Sequence, residues 1–66
     1  PNPTNGLLFF KNEPETLRVL DLNGKTVLEK QGPRLEYLDV SSLSNGLYFL
    51  EMVADGQRKV ARFFKN

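Results

Sequence analysis

The sequence predicts an all-β protein, a two-layer sandwich of six short antiparallel strands. Four Asx-Gly steps punctuate it, at Asn5-Gly6, Asn23-Gly24, Asn45-Gly46 and Asp55-Gly56, and each is a place where the chain can reverse. Between them lie short runs of Leu, Val, Phe and Tyr, recurring at spacings of about ten residues, the pattern of strands joined by turns. No segment carries the apolar period of a helix. At 66 residues the chain is one domain at most, and so small a domain must commit nearly all its apolar side chains to one core. That leaves little room for a deep catalytic cleft.

The elements follow in chain order. Pro1 to Thr4 contains two prolines, each fixing its own φ and restricting its predecessor, so this stretch reads as the end of an extended linker. Leu7 to Phe10 is a first strand, broken near Pro14, which has no N–H for a ladder. Thr16 to Asp21 and Lys25 to Lys30 form a hairpin around Leu22-Asn23-Gly24. Two registers compete. A two-residue turn at Asn23-Gly24 puts Leu22 opposite Lys25 and Val19 opposite Leu28. A three-residue loop, a type I turn with a bulge at Gly24, instead puts Asp21 opposite Lys25 and Val19 opposite Val27. The second is preferred, because Asp opens and Gly closes type I turns, and because it pairs opposite charges and stacks two β-branched side chains. Leu17, Val19 and Val27 then share an inward face.

Gln31-Gly32-Pro33 is a break, and Arg34 to Leu38 a short fourth strand. Asp39 to Leu43 can close a single helical turn capped by Asp39 or Ser41. Gly46 to Val53 is the strongest strand, with Tyr48, Leu50 and Met52 on one face and Leu47, Phe49 and Glu51 on the other. After Asp55-Gly56, Arg58 to Lys65 returns as the last strand, its apolar content Val60, Phe63 and Phe64. A Tyr just after a corner, as Tyr48 is, can return its hydroxyl to backbone a few residues upstream, the tyrosine corner of immunoglobulin-like domains. Tyr48 is therefore expected buried, with its hydroxyl satisfied.

Composition narrows the chemistry. There is no Cys and no His, which excludes disulfides, thiolate catalysis and zinc sites built on either residue. The lack of disulfides fits a cytosolic protein, a bacterial surface protein or a piece of a larger chain. Nine Lys and Arg against eight Asp and Glu give a net charge of +1, so no overall field favours nucleic acid or anionic lipid. From Gln57 to Asn66, however, Arg58, Lys59, Arg62 and Lys65 occur with no acid. They read either as the cations that protect a sheet edge from pairing or as a docking patch for an acidic partner. No apolar run is long enough to cross a membrane as a helix, and no signal peptide is present.

The remaining motifs are local. Ser41, Ser42 and Ser44 have no His to act as base and read as capping residues. Asp21-Leu22-Asn23-Gly24 opens like a calcium loop, but the position of the bidentate Glu that ends an EF-hand loop is Gly32 here. Asn2-Pro3-Thr4 has Pro in the forbidden middle place of a glycosylation site. Glu13, Glu15, Glu29, Glu36 and Glu51 all sit where exposure is the default. Most aromatics are needed in the core, leaving Tyr37 and Phe49 as the candidates for an exposed stacking platform. No metal, cofactor or catalytic residue is expected.

Pro1-Asn2-Pro3-Thr4-Asn5-Gly6, the run Val19 to Val27 around Asp21, Asn23, Gly24 and Lys25, Asp39 to Leu43 leading into Gly46-Leu47-Tyr48, the Asp55-Gly56 turn, and the basic end at Arg62 to Lys65 occur in order over the whole chain. The combination resembles the C-terminal sorting domain, type A, of the type IX secretion system of Bacteroidetes. An aromatic residue commonly precedes the Pro-Asn-Pro motif in that family, and this sequence starts after that position. The resemblance implies an immunoglobulin-like sandwich of about six to seven strands that closes a larger secreted protein. It implies a signal that takes an upstream cargo domain through the outer membrane translocon, and a C-terminal signal peptidase that removes it afterwards. The cargo passes the periplasm and ends at the outer membrane surface or outside the cell, with no membrane insertion of the domain and no nucleic acid as partner. Lys59, Arg62 and Lys65 on the last strand are the candidate contacts for the translocon. The other reading is an adhesive or carbohydrate-binding sandwich module of a surface enzyme.

Overall fold

The structure, a computed structural model, describes residues 6–66. The expectations for Pro1, Asn2, Pro3, Thr4 and Asn5 lie outside the described residues. Among the described residues six strands occur, all antiparallel: β1 Leu7–Phe9, β2 Thr16–Leu20, β3 Thr26–Gln31, β4 Tyr37–Asp39, β5 Gly46–Ala54 and β6 Gln57–Lys65. They form a four-stranded sheet of order β3-β2-β5-β6 and a two-stranded sheet of β1 and β4. The shortest dimension is 16 Å, room for two stacked sheets about 10 Å apart and no more. The sandwich read from the sequence is what folds.

Alternation decides which side chains meet between the sheets. Leu17 and Val19 of β2 face inward with no exposed surface, beside Tyr48 and Leu50 of β5 and Phe63 of β6. Leu8, Leu38, Leu35 and Val40 close the core from the other layer. Tyr48 and Phe63 stand opposite each other in the ladder and stack, with ring centroids 5.7 Å apart. The Tyr48 hydroxyl donates to the Ser44 carbonyl at 2.7 Å, so this buried phenol is satisfied as the corner argument requires.

The first hairpin combines the two registers. Its turn is the three-residue one: the Gly24 N–H donates to the Asp21 carbonyl at 3.0 Å and the Asp21 N–H to the Lys25 carbonyl at 2.9 Å. Gly24 has φ of +83°, which only Gly adopts without strain. The expected pairing of Val19 with Val27 does not occur, because a bulge follows at once: Leu20 faces Thr26 while Val19 faces Leu28. One extra residue on β3 shifts the side-chain parity, and Val27 and Leu28 are both half-buried as a result. The expected Asp21–Lys25 charge pair is replaced as well. The Asp21 carboxylate instead accepts the Asn23 and Lys25 N–H groups at 2.9 and 3.0 Å, holding the turn through its backbone.

The fourth strand starts later than Arg34. Arg34 takes a positive φ of 55°, and the Leu35 N–H is spent on the Pro14 carbonyl at 2.9 Å. Residues 34–36 thus anchor the loop that holds the buried Pro14, and ladder pairing begins at Tyr37. After β4 a single turn replaces the short helix: the Leu43 N–H donates to the Val40 carbonyl at 3.0 Å, and Asp39 is the cap, accepting the Ser41 N–H at 2.9 Å. The last hairpin turns on two residues, Asp55 (φ 52°) and Gly56 (φ 75°), between paired Ala54 and Gln57. Two successive positive φ values define a type I′ turn, whose twist matches that of the flanking strands.

Candidate functional site

β6 is nine residues long, pairs with β5 and stands last in the order of the described four-stranded sheet. Its side chains alternate. Phe63 points into the core, so Lys59, Ala61 and Lys65 share its inward face, and Arg58, Val60, Arg62 and Phe64 lie on the outer face. Lys59, Arg62 and Lys65 therefore do not make one patch. Lys65 is 6% exposed, with its Nζ donating to the Asn66 carbonyl at 3.0 Å. Its ladder partner is Gly46, whose missing side chain leaves room for the aliphatic stem. Lys59 and Arg62 are exposed and take part in no ion pair among the described residues.

Arg58 is tied down. Glu51 of β5 receives both Arg58 and Arg18, and Arg18 also reaches Glu29 at 3.8 Å. The charges alternate across all four strands of the outer face, β3 to β6. Glu51 is thereby covered, its side chain only 12% exposed, against the expectation that it lies open to solvent. Beside this row the outer face carries an apolar stripe. Val60 and Phe64 are 52% and 48% exposed, and Leu20, Leu47 and Phe49 are half-buried.

The exposed aromatics differ from those expected. Tyr37 is exposed as anticipated, but Phe49 is half-buried, and Phe9 and Phe64 are the other open rings. Phe9 and Tyr37 oppose each other across β1 and β4, on the outside of the small sheet, and the Lys30 ammonium stands 4.4 Å from the centre of the Tyr37 ring. Cross-strand pairing is the signal that could have found them: once Leu8 faces in, Phe9 must face out. Of the turn residues singled out in the sequence, Asp21, Asn23, Gly24, Lys25, Gly46, Asp55 and Gly56 all lie at loops or strand starts and converge on no pocket. No group of three or more acidic side chains among the described residues is placed to hold a metal ion.

The last strand of the described sheet thus presents the open cations Lys59 and Arg62. Over residues 1–66 the chain matches the family described as secretion system C-terminal sorting domain. The chain belongs to that family. Sorting domains of this kind are the signal of type IX secretion, taking an upstream cargo through the outer membrane translocon. This sorting domain therefore interacts with the type IX machinery and directs export toward the outer membrane or the extracellular space. The match supports the export reading over an adhesive or carbohydrate-binding module. Among curated proteins none matches the chain.

Proposed function

We propose that the sorting domain, residues 1–66 with Pro1 to Thr4 as the end of a linker, is read as a folded shape whose charged edge is β6. Lys59 and Arg62 make the translocon contact, while Lys65 holds the end of the strand from inside. The observation that carries this reading is the pair of exposed cations, in no ion pair among the described residues, on the nine-residue last strand of the sheet. Cations at a sheet edge are a device against non-specific pairing, and the same charges steer an acidic partner to that edge. The cargo crosses the periplasm before this contact, and a C-terminal signal peptidase then releases the domain. A reporter fused ahead of residue 1 tests the proposal in a host with the type IX machinery. With the whole domain the reporter leaves the cell; without Gln57 to Asn66 it collects in the periplasm. Undiminished secretion of the truncated fusion would overturn the reading.

A further inference from the structure

Pleating fixes what the outer face of the four-stranded sheet presents. Val19, Leu50 and Phe63 are buried between the layers, so Leu20 of β2, Leu47 and Phe49 of β5, and Val60, Arg62 and Phe64 of β6 share the opposite side. The ladder makes them neighbours. Phe49 stands opposite Leu20 on one side and Arg62 on the other, and Leu47 stands opposite Phe64. Val60 is the diagonal neighbour of Phe49, about 7–8 Å away. Arg62 is therefore set inside an apolar field, with Val60 and Phe64 two places along its own strand and Phe49 across from it.

The other charges of this face are already matched. Glu29, Arg18, Glu51 and Arg58 are joined in one row, two of each sign. Among the described strand residues of the face, Arg62 is left as the uncompensated charge. From this placement we infer that the outer face docks a protein of the secretion machinery whose own surface presents a carboxylate set among apolar side chains. The carboxylate meets the Arg62 guanidinium, and the apolar surround covers Leu20, Leu47, Phe49 and Val60 and keeps water from the pair. Other occupants lack this complement. A second copy of the chain offers the same face, on which both carboxylates are already held by arginines. The preceding residues Pro1 to Asn5 carry no acid. An anionic lipid surface would meet Glu29, which is exposed on the same face. The inference deepens the export reading and rests on it for the source of the partner.

Val60 reads the partner's charge without altering Arg62. Val60→Asp and Val60→Lys remove the same apolar side chain from an exposed position and differ in sign, so both keep the melting temperature to within a few degrees. In the reporter fusion Val60→Lys is exported at least about tenfold better than Val60→Asp, because a like charge placed beside the partner's carboxylate repels it. Arg62→Glu loses export to a similar degree. Equal export of the two Val60 variants, or parental export of Arg62→Glu, overturns the inference. So does dimerisation of the chain in sedimentation that Val60→Asp abolishes, since the occupant is then a second copy. Binding to phosphatidylglycerol vesicles that Arg62→Glu abolishes overturns it too, since the occupant is then a lipid surface. The truncated fusion separates this inference from the export reading. If the inference alone fails, loss of Gln57 to Asn66 still holds the reporter in the periplasm; if the export reading fails, the truncated fusion leaves the cell like the parent.

Discussion

Asp39 shows how much one exposed side chain can organise. Hydrogen bonds from the Ser41 hydroxyl and backbone N–H hold its carboxyl below the ordinary carboxylate value, because both stabilise the charged form. A group with a depressed folded pKa contributes stability that is fully present above its unfolded value and is lost as the pH falls through the folded one. With an unfolded value of about 3.9, the contribution operates at neutral pH and fades in the acid range below about pH 4. Asp39→Ala should therefore be less stable than the parent at pH 7, and the two stability curves should converge in acid. Urea melts along a pH series measure this; a constant gap down to the lowest pH would show that the carboxylate charge is not what holds the turn. Tyr48 was legible at the same scale, since a phenol after a corner has a carbonyl within reach and a core to enter. Lys65 was not read correctly because its charge was weighed ahead of its parity. Once Phe63 is buried, the residue two places on must share its face.

At the scale of elements, the strands were legible and their registers less so. Apolar runs between Asx-Gly steps placed all six, since so small a core has few ways to use them. The bulge after the first turn left no trace in the sequence because Val27 and Leu28 are both apolar, and either can face inward. The turn itself was readable, since Asp21 and Gly24 serve it by different physics. Gly24 has nothing within 4 Å of where a Cβ would stand, yet its φ is +83°. A substitution there meets no clash, so its cost is purely that of the left-handed backbone. Gly24→Ala should destabilise the domain by about 1 kcal/mol, lowering the melting temperature by roughly 4–8 °C in a domain of this size. Thermal denaturation checks it. An unchanged melting point would mean that the hairpin tolerates another turn, and the two-residue register would then be within easy reach.

For the whole molecule the question is whether the secretion machinery reads charge or merely requires a folded domain. Removing β6 cannot separate these, because it also removes Phe63, which is 4% exposed and stacks on Tyr48. Truncating a buried Phe alone costs about 3–5 kcal/mol, a large share of what so small a core supplies. Lys59 and Arg62 offer the separation, being exposed and outside the Glu29–Arg18–Glu51–Arg58 row. Lys59→Glu with Arg62→Glu keeps the edge charged, and so keeps it protected from pairing with other edges. Surface substitutions of this kind stay within about 0.5 kcal/mol each, so the melting temperature should hold to a few degrees. Export of a fused reporter should fall sharply, with the folded fusion retained in the periplasm, whereas Phe63→Ala should lose export together with the fold. If the double reversal exports like the parent, the machinery reads shape alone, and the basic end of the chain serves only to guard an exposed strand.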